Sequence, residues 1–436
     1  MTGRPELDGG TAERSVGRAT RSARASFAPA GLARQAADFL RSSRRPPAVY
    51  TREEGRHASW LDLFFDLVYV VAVAELGAFL HHDLTVTGFV GFVGLFLIVW
   101  WTWLGFTTYA DQFDTDDLLH RIGMVTVMFG VIVLTATIDD ALSGGSFAFV
   151  VAYLLLRVLY VGMYLRAWRN LPELRPFLGY VAVATTASAG VFAASLLFPE
   201  PERFAVWGVS MLVSVAVTVV GYVGFSDIPR PTSQLPERLG LFTILVLGET
   251  VLAVAVGASG TEWGVASAIT ALAGFLVAVS VWWTYFRNVD ERYVDLVYRS
   301  DEGPWSRLRE VSFAHVVGHF VVYVGIVTVG VGIAVAIDAA TGAHPLGPGG
   351  TAAVAGGLAV FLVGSGFVHR TTAEPLHDHA FVARLVVAAG LVAVALVAPP
   401  VAPLALVGGV AVLLVCLNAF EGFRAYLAAR GAGVDV

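Results

Sequence analysis

The chain has 436 residues, of which 56% are hydrophobic and only 14% are charged. Soluble domains carry about 25% charged residues, so this composition excludes a chain that folds mainly in water. The formal net charge of −6 gives no sign of a nucleic-acid partner, and the single cysteine, Cys416, excludes an intrachain disulfide. We expect Cys416 to be a small buried residue within the last apolar stretch.

The first 57 residues are rich in arginine. They contain eleven arginines among Gly, Ala, Ser and Pro and show no sustained apolar period, so they cannot bury a core. We interpret residues 1–57 as a disordered cytoplasmic tail. A cleaved signal peptide is not expected, because the first apolar stretch begins only near Trp60 and already contains Asp62, Asp66 and Glu75.

Twelve apolar stretches follow, each about 20 residues long, which is the length that crosses roughly 30 Å of hydrocarbon. A spanning segment must satisfy its own backbone hydrogen bonds, so these stretches are expected to be helices. The sequence therefore predicts an all-α, polytopic integral membrane protein. The predicted helices cover residues 60–80, 86–106, 119–138, 146–167, 176–198, 204–225, 238–258, 262–286, 311–337, 351–369, 381–399 and 402–421.

The positions of the arginines test this helix count, because cytoplasmic loops carry an excess of basic residues. If the tail is cytoplasmic, 26 of the 28 basic residues, all of them arginines, fall in cytoplasmic segments or at their helix ends. Arg203 falls on the outer side, and Arg157 falls within the membrane. This alternation predicts a cell-membrane protein with both termini in the cytoplasm.

The chain also shows an internal similarity. Trp100-Trp101-Thr102-Trp103 ends the second predicted helix, and Trp282-Trp283-Thr284-Tyr285 ends the eighth. Asp66 lies 34 residues before Trp100, and Glu249 lies 33 residues before Trp282. Since six is an even number of helices, the pattern predicts two parallel six-helix repeats, as in some transporters. The predicted units are residues 58–232 and 233–424, followed by a short cytoplasmic tail at 425–436.

Ionisable residues inside the membrane are costly, at about 2.5 to 3.5 kcal/mol each on insertion scales, so those that occur are candidate functional residues. Asp62 and Asp66 share one helix face, with Asp62 near the interface and Asp66 deeper. Asp66 is predicted to handle a proton or an ion, and the alternative is a carboxyl group that only hydrogen-bonds a neighbouring helix.

Three further charged positions belong to this candidate set. Glu249 follows Gly248 in the middle of its helix and is the strongest single candidate. Glu75 lies on the opposite face from Asp66, where a structural or external role is as reasonable as transport. Arg157 cannot lose its proton and needs an anion. We expect Asp66 or Glu249 to pair with it, and an anionic substrate is the alternative.

His315 and His319 are four residues apart on one face, a spacing that allows metal binding, a proton relay or hydrogen-bonded packing. The glutamate of a zinc-protease motif is missing, and packing is favoured. His369 is expected to be solvated beside a cytoplasmic loop. Phosphate-binding, dinucleotide and zinc-type motifs are absent from the sequence, so no metal and no cofactor are predicted.

Two segments resemble the bacterial low temperature requirement A protein family. The first is Ser59-Trp60-Leu61-Asp62-Leu63-Phe64-Phe65-Asp66-Leu67-Val68-Tyr69-Val70, in which Asp62 stands where glutamate is usual and Asp66 matches. The second runs from Glu237-Arg238-Leu239-Gly240-Leu241-Phe242 to Leu247-Gly248-Glu249-Thr250, with Leu239 in place of the commoner phenylalanine. The resemblance extends from about residue 57 to 424. It implies a multispanning inner-membrane protein from a family named for growth in the cold, with no established substrate or reaction.

The leading hypothesis is a proton-coupled secondary transporter, not an enzyme, with a site where the two repeats meet. Its expected partners are the lipid bilayer, protons or small ions, and a small solute. The second hypothesis is a membrane scaffold or sensor in cold adaptation, in which the buried charges only specify helix packing. The third is an intramembrane enzyme that uses His315 and His319 with a carboxylate.

Overall fold

The computed structural model describes residues 46–49, 59–114, 117–225, 234–259, 264–287, 305–372 and 378–431. Most of the predicted N-terminal tail lies outside these ranges. So do residues 226–233, which contain the predicted boundary between the two halves, and residues 432–436 at the C-terminus.

Within these ranges, twelve helices are long and apolar enough to cross a membrane, which confirms the predicted all-α, polytopic architecture. They are α1 Trp60–His82, α2 Val86–Gln112, α3 Leu118–Thr135, α4 Ser146–Asn170, α5 Arg175–Ala194, α6 Glu202–Gly224, α7 Gln234–Ser259, α8 Val265–Phe286, α9 Trp305–Thr341, α10 Pro348–Thr372, α11 Asp378–Val397 and α12 Pro403–Gly431. Two short 3-10 turns, Pro172–Leu174 and Ser195–Leu197, flank α5.

The helix boundaries differ from the predicted ones in a few places. α9 begins at Trp305, before the predicted start, and α12 continues to Gly431 through residues predicted to be a C-terminal tail. Part of the predicted disordered tail is also ordered, because Ala48–Val49 (β1) pairs antiparallel with Phe113–Asp114 (β2). Cys416 was expected to be buried, but it is exposed on the surface of α12.

Local sequence explains where the first helices begin. Ser59 caps α1: its hydroxyl accepts the backbone N–H of Asp62, and the Asp62 carboxylate accepts the backbone N–H of Ser59. Thr85 accepts the N–H of Gly88 at the start of α2, and Asp117 accepts the N–H of His120 at the start of α3. Each cap satisfies a backbone donor that the first helical turn leaves without an intrahelical acceptor.

The centre of the bundle is formed by α9 and α10, which pack with their backbones close together. Small residues allow this approach in membrane helices. A Cβ atom on Gly357 of α10 would lie 2.6 Å from the backbone nitrogen of Val329, and one on Gly364 would lie 2.8 Å from that of Val322. Glycine is therefore required at both positions for this packing.

The two halves of the chain meet where α1 and α2 pack against α7 and α9. The neighbouring pairs α1–α2, α1–α3, α3–α4, α4–α5 and α5–α6 have counterparts six helices later. However, α12 packs extensively along α8, and the described residues show no α2–α6 contact of that size. The helix pairs are consistent with the repeat, which remains a prediction.

Candidate functional site

A buried ion pair joins the two halves of the protein. The carboxylate of Asp66 on α1 and the guanidinium of Arg238 on α7 are both inaccessible to solvent. Arg238 Nη2 donates to Asp66 Oδ1 at 2.6 Å, and Nε donates to Oδ2 at 3.3 Å. This two-point geometry uses the planar guanidinium fork and is among the stronger side-chain interactions in proteins. Asp66 is thus the direct partner of Arg238.

Asp62 is the second carboxylate of this site. Its Oδ1 accepts Arg238 Nη1 at 3.2 Å, while its Oδ2 accepts the backbone N–H and the hydroxyl of Ser59. The start of α1 and the arginine of α7 are therefore held by the same side chain. Arg238 has two carboxylate partners, so the cluster has a formal charge of −1 when both are ionised.

Aromatic side chains close the site from water. Trp103 on α2 donates its indole N–H to Asp66 Oδ1 at 2.8 Å and stacks on Phe242 of α7, with ring centroids 4.5 Å apart. The guanidinium carbon of Arg238 lies 5.6 Å from the centre of the Phe65 ring. A dry environment strengthens the interaction between the charges and raises the cost of separating them.

A second buried ion pair lies within the C-terminal half. Arg384 on α11 donates from Nε and Nη2 to the two carboxylate oxygens of Glu421 on α12, each at 2.7 Å. Its Nη1 is bonded to Nδ1 of His369. Since a guanidinium can only donate, Nδ1 is the acceptor, and Nε2 of His369 donates to the carbonyl oxygen of Tyr285 at 3.0 Å. His369 was expected to be solvated and is instead buried.

The predicted histidine pair lies beside this network, on α9. Nδ1 of His319 donates to the carbonyl oxygen of His315 at 2.8 Å, so Nε2 accepts the hydroxyl of Tyr285, 2.6 Å away. Both ring nitrogens of His319 are therefore engaged by protein groups. Among the described residues, no group of three or more His, Cys, Asp or Glu side chains could hold a metal ion.

The two networks approach each other at α7. The carbonyl oxygen of Leu239, the residue after Arg238, accepts the hydroxyls of Thr243 and Tyr323, each at 2.9 Å. Tyr323 of α9 lies between the sites, with its ring 5.9 Å from that of His319. A band of buried polar groups thus runs through the core from Asp66 towards Glu421.

Glu75 and Glu249 lie apart from these networks. Both side chains are partly buried, and neither makes a hydrogen bond or an ion pair to any other described residue. The neighbour of Glu249, Thr250, donates its hydroxyl to the carbonyl oxygen of Ile326 on α9. The structure does not bring Glu249 into the Asp66 site.

The expected pairing of Arg157 with Asp66 or Glu249 is wrong. Arg157 is buried on α4 between the rings of Tyr153 and Tyr160, with its guanidinium carbon 5.7 and 5.6 Å from their centres. Its one hydrogen bond runs from Nη2 to the hydroxyl of Ser188, at 3.4 Å. The physical reason is that Arg238 already occupies the carboxylate of Asp66.

The profile of the bacterial low temperature requirement A protein matches residues 57–419. The chain belongs to this family. An uncharacterized protein of Rhizobium meliloti strain 1021 is 30% identical to it over 346 residues, which cover 74% of this chain and 80% of the relative. No solved structure matches the chain significantly.

Low temperature requirement A proteins are matched here by two segments, and the structure brings those two segments together. The first supplies Asp62 and Asp66, and the second supplies Arg238 and Leu239. Because the second segment was read mainly for Glu249, the sequence analysis missed Arg238 and counted it as a topology-setting arginine. The position of Arg238 at the start of an apolar helix, four residues before Phe242, was the available signal.

Proposed function

We propose that this low temperature requirement A protein is a proton-coupled secondary transporter in which Asp66 carries the proton. The observation that supports this most strongly is the buried Asp66–Arg238 ion pair, which joins the first helix of one half of the chain to the first helix of the other. In transporters built from two related halves, substrate and ion sites lie between the halves.

Protonation of Asp66 gives this pair two states. When Asp66 is ionised, Arg238 is held to α1 by two carboxylates. When Asp66 takes up a proton, its charge is lost, and Arg238 keeps only Asp62 as an ionic partner. The relative stability of arrangements in which α1 and α7 are close or apart then changes, and a solute that binds one of them is coupled to the proton.

Asp62 has a supporting role in this mechanism. It is fixed to the helix start by Ser59 and holds Arg238 near α1 while Asp66 is neutral. Trp103 would respond to the same event, because its indole N–H donates to the oxygen of Asp66 that also accepts Arg238. We assign the cell membrane as the location of the protein, with both termini in the cytoplasm.

The second candidate function is a membrane scaffold in cold adaptation. The complete set of partners around Asp66 favours it, because a fully satisfied buried ion pair can also serve only to specify helix packing. An enzymatic role for His315 and His319 has less support, since both nitrogens of His319 are engaged by Tyr285 and His315.

Flux into proteoliposomes separates these functions. Purified protein is reconstituted, a pH gradient is imposed, and proton movement is followed while a panel of small solutes is added in turn. We expect at least one solute to drive proton movement by the wild-type protein. Asp66→Asn should abolish it, because an amide keeps the shape of the carboxyl but cannot titrate.

Glu75→Gln is the matched control, since it is the same change on the same helix at a carboxylate without a described partner. It should retain flux. All variants are compared at equal amounts of reconstituted, folded protein. Solute-driven flux that survives Asp66→Asn would refute the role of Asp66, and the absence of flux for every solute would favour the scaffold.

A further inference from the structure

Arg157 is a buried cation whose positive charge is not balanced by the protein. It lies at the middle of α4, and no carboxylate of the described chain lies within ion-pair distance of it. Its Nε–H is buried and has no acceptor. Arginine stays protonated in proteins, so the charge cannot be removed by loss of a proton. Such residues are found where they face a partner or a ligand.

The surroundings of Arg157 are built to hold it in place. Tyr153 and Tyr160, one turn to either side on the same helix, cover the guanidinium with their rings. Ser188 on α5 donates its own hydroxyl to the carbonyl oxygen of Thr185, so it is an acceptor towards Arg157. Ser210 of α6 bonds in turn to the carbonyl oxygen of Ser188. None of these contacts supplies negative charge.

Two other buried polar groups in the same three-helix layer lack partners. The hydroxyl of Tyr153 and that of Ser214, one turn beyond Ser210 on α6, make no hydrogen bond within the described chain. Buried polar groups are nearly always satisfied, so unsatisfied ones need an explanation such as a bound ion or water. Here, all three groups can donate a hydrogen bond: a guanidinium N–H and two hydroxyls.

We propose that Arg157 is the centre of a binding site for a small monovalent anion between α4, α5 and α6. One guanidinium balances one negative charge. Its planar fork matches a planar oxyanion such as nitrate, formate or bicarbonate, and the free Nε–H is one of the two donors needed for such a contact. Tight packing around the site, with Leu156, Ser188 and Phe192 buried, excludes a large ligand. This inference is independent of the proton-coupled transport proposed above.

Thermal unfolding of the detergent-solubilised protein tests the site, with sodium nitrate as the probe. Nitrate replaces gluconate at constant ionic strength, because gluconate is too large for the site and controls for screening. Binding to the folded state should raise the unfolding midpoint with increasing nitrate, by an equal step for each tenfold increase above the dissociation constant. The dependence should vanish in Arg157→Gln.

Arg203→Gln is the matched control, since Arg203 is an arginine whose charge is already paired, with Glu200. It should keep the full nitrate dependence. Arg157→Lys serves if Arg157→Gln does not fold: it retains the charge but not the fork, so nitrate should stabilise it less than the wild type. A wild-type midpoint that nitrate does not change relative to gluconate, or a nitrate effect that persists undiminished in the Arg157 variants, would overturn the inference.

Discussion

Two buried arginines show contrasting solutions to the same problem. Arg238 is 1% exposed and lies between two carboxylates, whereas Arg157 is 6% exposed and lies between two tyrosine rings with one serine hydroxyl. Both are in apolar helices and both keep their charge. The first arginine has its counter-ions built into the chain and fixes two helices together. The second has only neutral neighbours and is available to an anion from outside.

Arg384 belongs with Arg238 in this comparison, because Glu421 balances its charge at two points. The difference between these two sites lies in what they connect. The Asp66–Arg238 pair crosses from α1 to α7 and so links the two halves, whereas Arg384 and Glu421 join neighbouring helices of the C-terminal half. Only the first pair is placed to report on a movement between halves.

The largest expected effect is that of Arg238→Gln. It leaves Asp62 and Asp66 without their cation, and breaking a buried ion pair costs about 3 to 5 kcal/mol. Equilibrium unfolding in detergent micelles should show this loss. The double variant Asp66→Asn with Arg238→Gln removes both charges and should recover most of it. Wild-type stability for Arg238→Gln alone would contradict the assigned pairing.

A somewhat smaller loss is expected for Glu421→Gln, at about 3 kcal/mol. Arg384 loses its anion but keeps neutral acceptors in His369, Ser365 and the carbonyl oxygen of Thr284. The same unfolding measurement applies. Replacing the pair together, by Arg384→Met and Glu421→Leu, should be close to neutral. If the double variant is less stable than Glu421→Gln, the network contributes more than its ion pair.

Arg157→Met should change stability by less than about 1 kcal/mol in gluconate buffer. Breaking no ion pair, it replaces an unbalanced charge with an apolar side chain of similar length, a change that is often neutral or stabilising. This is the opposite of the result expected at Arg238. A loss as large as that of Arg238→Gln would show that Arg157 has a counter-ion within the chain.

The smallest effects concern tyrosine hydroxyls. Tyr285→Phe removes a hydrogen bond to His319 and should cost about 0.6 kcal/mol, the average for such bonds in membrane proteins. Tyr153→Phe removes a hydroxyl without a partner among the described residues, so it should cost nothing or stabilise slightly. Equal losses for both variants would mean that the Tyr153 hydroxyl is satisfied in solution.

The sequence was sufficient for the fold class, because length and hydropathy alone specify a membrane span. It also identified Asp66, since a carboxylate in an apolar helix stands out. The pairing could not be predicted, because it depends on which helix faces of distant segments meet. Arg238 and Arg384 were read as cytoplasmic arginines, since they lie near helix ends where basic residues are expected anyway.

The histidines illustrate the same limit. The spacing of His315 and His319 correctly places them on one face, but their partners come from α8 and from the backbone of α9 itself. His369 lies at the end of α10, where a loop position is the natural expectation, yet the packing of α11 and α8 buries it. Short-range spacing gives a face of a helix, and only the packed structure gives what that face contacts.

The central claim is that Asp66 takes up a proton and thereby releases Arg238. Infrared difference spectroscopy of the reconstituted protein measures this directly, because a protonated carboxyl group has a C=O stretching band that a carboxylate lacks. On acidification across the pH range that supports flux, the wild type should gain such a band. The band should be absent in Asp66→Asn and present in Glu75→Gln. A spectrum in which the wild type and Asp66→Asn gain the same band would show that Asp66 stays ionised, which would contradict the claim.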